Sequence, residues 1–147
     1  MARARAVDDS QIVKAMKAAD KPLTAYELIE RVPDQRHPSP PVMYRALERL
    51  IGDGRVHRIE SLKAFVPCNH AGHVRQDGHR HEVVLAVCID CKKVEEFEDH
   101  YLCRSVANWQ DATGFRAAQK IFEIMGLCGS CSAKPQACLP LTKQSAR

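Results

Sequence analysis

Two Cys-x-x-Cys pairs, Cys88/Cys91 and Cys128/Cys131, constrain this chain more than any other feature. Each pair can offer two thiolates to one tetrahedral ion, so together they supply all four donors of a closed zinc site. A closed site leaves no coordination position for a substrate, and the pattern reads as a structural clamp. The segment between the pairs has room for a strand, a helix and a strand, so the ion would join both ends of a small αβ unit. In a chain of 147 residues, halves of this size bury a limited core, and metal-coupled folding energy offsets that shortage.

No stretch reaches the roughly 20 apolar residues that span a bilayer, and residues 1–9 lack the apolar core of a secretory signal. A cytoplasmic location and no membrane partner are expected. In a reducing cytosol the seven cysteines stay as thiols, and paired cysteines point to metal or redox work before structural disulfides. Two pairs separated by a helix-bearing segment make a thioredoxin-like motif the weaker reading.

The N-terminal half has the periodicity of three helices. Ile12, Val13, Met16 and Ala19 recur at helical spacing behind the candidate caps Asp8, Asp9 and Ser10. Thr24 and Glu27 form a Thr-x-x-Glu capping box for a second helix, with Leu28, Ile29 and Val32 facing inward before Pro33 stops it. Ser39-Pro40-Pro41 opens a third that runs to about Ile51, with Met43, Leu47 and Leu50 inside and Tyr44, Arg45, Glu48 and Arg49 outside. Short strands follow over 56–59 and 64–66. Three helices and a hairpin in this order suggest a winged helix-turn-helix whose third helix reads DNA. Alternatively, Arg45 and Arg49 only solvate an exposed face. The net charge of +4, with its excess in residues 1–66, permits nucleic-acid binding without demonstrating it.

A polar, His-rich stretch over 69–81 reads as a linker. Beyond it the pattern predicts a strand over 83–89 that delivers Cys88, a strand over 94–97, and a helix over 99–111 with Leu102, Val106 and Trp109 on one face. Gly114 ends that helix, and a last strand over 119–125 leads to Cys128. The fold class is therefore α+β.

A second, looser set of metal-type residues comprises His57, Cys68, His79, His81 and Glu96, with His70, His73 and His100 nearby. A mixed shell containing Cys68 suits zinc better than iron or manganese. The same residues also fit ordinary strand positions and a solvated polar loop. A zinc enzyme with a water as fourth ligand is a third reading, but no general base remains once Glu96 is a ligand.

Pro41-Val-Met-Tyr-Arg-Ala-Leu-Glu-Arg-Leu50, Gly54-Arg-Val-His-Arg-Ile-Glu-Ser61, Phe65-Val-Pro-Cys68, the His79/His81 pair and the two Cys-x-x-Cys pairs occur in that order. Across residues 8–133 the series resembles the Fur superfamily of metal-dependent repressors, most of all its zinc uptake regulator (Zur) branch. The resemblance implies a zinc-responsive transcriptional repressor and not an enzyme, with zinc as corepressor over uptake genes; the alternative is an iron- or peroxide-responsive family member. It implies two zinc ions per chain, a structural one on Cys88, Cys91, Cys128 and Cys131 and a regulatory one on His57, Cys68, His81 and Glu96. It further implies a homodimer that binds double-stranded operator DNA through Tyr26, Tyr44 and Arg45. The implied organisation is a winged-helix DNA-binding domain over 1–67, a hinge over 68–82, an αβ dimerisation domain over 83–133 and a flexible tail over 134–147.

The chain departs from the family pattern in three places. Val42 stands where the family has Thr, which removes a polar group from the start of the reading helix. The extra N-terminal helix of longer members is not expected here. Arg80 and Lys120 occupy places where a further metal site needs an acidic residue and a His, so no such site is expected. His79 is either a spare ligand or part of the loop. Cys103 reads as core, Trp109 as core or dimer interface, and Cys138 as a spectator.

Overall fold

A computed structural model describes residues 7–33, 37–69, 83–117 and 120–135 of the chain. The expectations for His79, Arg80, His81 and Cys138 lie outside the described residues. The N-terminal half contains α1 (Asp9–Ala19), α2 (Ala25–Arg31), α3 (Pro40–Gly52), β1 (Val56–Ile59) and β2 (Ala64–Pro67). The C-terminal half contains β3 (Val84–Cys88), β4 (Val94–Phe97), α4 (His100–Thr113), β5 (Phe122–Gly126) and the short α5 (Gly129–Ser132).

Local chemistry sets most helix ends. The Asp8 carboxylate accepts the Ser10 amide at the start of α1. The full capping box forms at α2: Thr24 Oγ1 accepts the Glu27 amide and the Glu27 carboxylate accepts the Thr24 amide at 2.8 Å. Ser39 occupies the N-cap of α3 but makes no side-chain cap bond. Its neighbours Pro40 and Pro41 bring no N–H, and the Val42 amide bonds the Ser39 carbonyl instead. Gly114 closes α4 in the left-handed region at φ 69°, where a Cβ would be strained.

Ile12, Met16, Leu28, Met43, Leu47 and Leu50 converge from the three helices into one core with Val56 and Phe65 of the hairpin. Strands β1 and β2 pair antiparallel, with His57 opposite Val66. Leu23 bridges Phe65 and so ties the loop before α2 to the hairpin. The second sheet has the order β4-β3-β5, with β3 antiparallel to β4 and parallel to β5. Its parallel pair requires a crossover, which α4 supplies. A smaller core joins the halves: Ile59 of β1 is buried with Val83, Leu85 and Val87, and Leu62, Val66 and Val94 pack against them.

Two expectations change. Among the described residues nothing covers the amphipathic face of α4: none of its residues is buried, Trp109 is 52% exposed, and Cys103, expected in the core, is only half-buried. An apolar stripe identifies a face to be covered, and it is silent on whether the cover comes from the same chain. The last strand spans Phe122–Gly126, with residue 121 outside it, and the helix α5 after Cys128 is an addition to the expected elements.

Candidate metal centres and nucleic-acid face

Two thiols of the first cluster enter from the end of β3 and the turn behind it. Lys92 closes that turn with a left-handed φ of 63°, its amide bonded to the Cys88 carbonyl. The other two enter from Cys128, the N-cap of α5, and Cys131 within it. The four Sγ atoms all lie within 4.8 Å of one another. Cys91 and Cys128 are 3.7 Å apart, far beyond a disulfide bond of about 2.05 Å. Tetrahedral zinc with Zn–S bonds of about 2.3 Å places its sulfurs about 3.8 Å apart, so this donor set fits the ion that four thiolates favour.

The thiols of this cluster are electrostatically unlike. The Cys128 amide donates to Cys88 Sγ at 3.4 Å and, with the Cys91 and Asp90 amides, overcomes burial to lower that thiol to about 6. The Asp90 carboxylate, followed by burial, pushes Cys131 strongly upward. Asp90 is itself held low, foremost by Lys134 at 2.8 Å. The Asp90–Lys134 pair therefore braces the two ends of the cluster. Sequence reasoning passed over both residues, although Asp90 lies inside the first Cys-x-x-Cys.

The second cluster joins the two halves. His57 on β1, Cys68 just after β2 and Glu96 on β4 offer donor atoms within 4.8 Å of one another. Glu96 Oε1 lies 3.2 Å from His57 Nε2 and accepts from Cys68 Sγ at 3.3 Å. The other oxygen, Oε2, accepts the Asn69 amide at 3.1 Å. The Glu96 side chain is only 3% exposed. A nearly dry carboxylate surrounded by donors fits a cation, because an anion buried without compensation is costly. Nitrogen, sulfur and oxygen donors together suit a borderline-soft ion. Among the described residues these are the two metal-type groupings; His81 is not one of the described residues.

Tyr26 on α2 and Tyr44 and Arg45 on α3 are all exposed. Tyr44 and Phe65 make a T-shaped ring pair with centroids 6.5 Å apart, and Tyr44 stays partly open to solvent. Arg45 Nε donates to the Pro41 carbonyl at 3.3 Å. Four residues further along α3, Arg49 pairs with Asp9 of α1 at 2.8 Å.

No family-level sequence profile matches the chain. The zinc uptake regulation protein of Escherichia coli (strain K12) is 28% identical over 129 residues, which span 82% of this chain and 68% of that protein. The solved structure of holo XcZur is 32% identical, covers 90% of this chain and 88% of that one, and superposes with a TM-score of 0.75. A zinc uptake regulator complexed with zinc and DNA is 25% identical, with coverages of 84% and 79% and a TM-score of 0.72. Fold, motif order and these likenesses agree: the chain belongs to the Fur superfamily of metal-responsive transcription regulators, which are not enzymes. Within that superfamily it is Zur-like.

Proposed function

We propose that the chain is a zinc-responsive, DNA-binding transcriptional repressor of zinc-uptake genes. The observation that carries this reading is Glu96, a carboxylate of the C-terminal sheet met by His57, Cys68 and the Asn69 amide of the N-terminal half. His57, Cys68 and Glu96, with His81, are the proposed holders of regulatory zinc. Cys88, Cys91, Cys128 and Cys131 hold structural zinc, giving two ions per chain. Zinc, when bound, supplies a divalent charge that accepts thiolate, imidazole and carboxylate donors together.

Donors drawn from both halves are satisfied together in only one relative orientation, so bringing them together selects that orientation from the ensemble. Residues 1–67 serve as the winged-helix domain and 68–82 as the hinge, with α3 as the reading helix. Tyr26, Tyr44 and Arg45 then face the operator, the arginine supplying the charge and fork geometry that phosphates and base edges accept.

Residues 83–133 serve as the dimerisation domain. Support comes from β5, an edge strand in this chain, and from the exposed Tyr101 (86%), Trp109, Ile124 and Met125. A strand edge and several exposed large apolar side chains are features that a partner would cover. Among the described residues no helix is long and apolar enough to cross a membrane. A cytoplasmic location accompanies this reading.

The test is a zinc titration of the purified protein that counts tightly held metal while fluorescence anisotropy follows a palindromic promoter fragment. One retained zinc, and a weaker second that turns on DNA binding, is the expected result. A response to iron or manganese but not zinc would overturn the zinc assignment. Unchanged zinc-dependent binding in Cys68→Ser or His81→Ala would remove the proposed regulatory site.

A further inference from the structure

A second polar link between the halves is made by residues that belong to neither donor cluster. The turn joining β1 to β2 directs two consecutive backbone amides, those of Glu60 and Ser61, onto the carboxylate of Glu123, the second residue of β5. Glu60 donates to Oε1 at 2.5 Å and Ser61 to Oε2 at 3.1 Å. Each carboxylate oxygen takes one amide, a two-point arrangement that resists rotation as well as separation.

The surroundings strengthen the link. Glu123 is in register with Leu85 on β3, and Leu85 packs in the small core that also buries Ile59, the residue before Glu60. The polar contact therefore continues the apolar one along the same path of chain. The Glu60 carboxylate takes Arg58 at 2.9 Å and Lys63 at 3.3 Å, so the negative charge it brings beside Glu123 is balanced locally. Burial pushes the Glu123 carboxyl up, but the Ser61 side chain and the Glu60 and Ser61 amides, aided by Lys63, outweigh it and hold the group below its ordinary value.

We infer that Glu123 is a positioning residue: it latches the tip of the β1–β2 hairpin to the C-terminal sheet and, independently of the metal ligands, fixes the orientation in which the N-terminal half meets DNA. This rests on the reading above, in which the orientation of the halves governs operator affinity. A hinge held only at the His57/Cys68/Glu96 cluster can still pivot about it. Beside the small apolar core around Ile59, the Glu123 contact supplies a further, directional fixed point on the same hairpin and restricts that freedom.

The experiment uses the full-length, zinc-loaded chain with Glu123→Ala and Glu123→Gln. Hydrogen exchange at the Glu60 and Ser61 amides, zinc per chain and operator anisotropy are measured together. In Glu123→Ala both amides should exchange about tenfold faster or more, the factor expected for losing a charge-assisted hydrogen bond. Zinc content should stay at the wild-type value, and operator affinity at saturating zinc should fall several-fold. Glu123→Gln keeps one acceptor oxygen, so its values should lie between those of wild type and alanine, and it carries the test if the alanine variant does not fold. Unchanged exchange overturns the latch. Faster exchange with wild-type operator affinity overturns its positioning role. If the wild-type chain shows no zinc-dependent DNA binding, the functional reading fails, while amide exchange in the variants still decides whether the latch exists.

Discussion

The two donor clusters differ in which parts of the chain they join. The four cysteines all belong to the C-terminal half and bring the end of β3 to the start of α5. The His57/Cys68/Glu96 cluster draws two donors from the hairpin of the N-terminal half and one from β4. A cluster closed within one folded unit can stabilise that unit, but it has little leverage on anything outside it. A cluster whose donors belong to two units couples its occupancy to their relative position. The chemistry points the same way: four thiolates make a closed set, whereas a mixed set shared across a junction is easier to open.

The largest expected effect comes from breaking the closed cluster. Cys88→Ser or Cys131→Ser should lose the tightly held zinc and lower the thermal midpoint by on the order of 10 °C or more, because metal-coupled folding energy amounts to several kcal/mol. Metal analysis with a calorimetric scan checks this. If either variant kept its midpoint, the clamp would be dispensable and the contrast between the clusters would collapse. Glu96→Ala should separate them from the other side. Structural zinc and the fold should persist, while the second zinc weakens by about tenfold or more, since even an outer-shell loss costs that much and a deleted ligand costs no less. Zinc-dependent DNA binding should fall with it.

How much of this was legible in the sequence follows the distance over which each feature acts. The Thr24/Glu27 capping box and the two Cys-x-x-Cys pairs work within a turn of chain, so residue type and spacing reveal them. Glu96 meets partners 39 and 28 positions away, and no periodic signal connects them; residue type gives only a loose set of metal-type candidates, which the resemblance to a family narrows to a ligand set. Glu123 meets the hairpin turn 62 and 63 positions away and was not singled out. The stripe on α4 is legible as apolar, but whether a core or a dimer interface covers Trp109 is not, since an apolar face is written the same way whichever molecule covers it.

A smaller effect sharpens the contrast from the DNA side. Arg45→Ala should weaken operator binding at saturating zinc by roughly tenfold, the usual scale for one direct arginine contact, while both zinc ions remain. Anisotropy beside metal analysis reads the two quantities separately. Loss of zinc in this variant would mean that α3 supports the metal clusters, which the position of Arg45 on the open face of α3 argues against.

The smallest effect tests whether N-terminal stability can change without either cluster responding. Thr24→Ala removes one side of the capping box and should cost about 1 kcal/mol, seen as a lower denaturation midpoint with unchanged zinc content. The same box carries a pH signature. The Thr24 amide holds the Glu27 carboxyl below its ordinary 4.5, so the folded state binds fewer protons there than the unfolded state. That contribution is fully present above pH 4.5 and is lost as pH falls through the depressed folded value. Glu27→Gln should therefore flatten the acid limb of the stability curve below pH 4.5, and only modestly, since the carboxylate is partly exposed. Because α2 also carries Tyr26, operator affinity provides the internal control. An unaltered affinity in Thr24→Ala at neutral pH would show that the helix end contributes stability alone, whereas a loss beyond the fall in folded population would mean that the cap also places Tyr26.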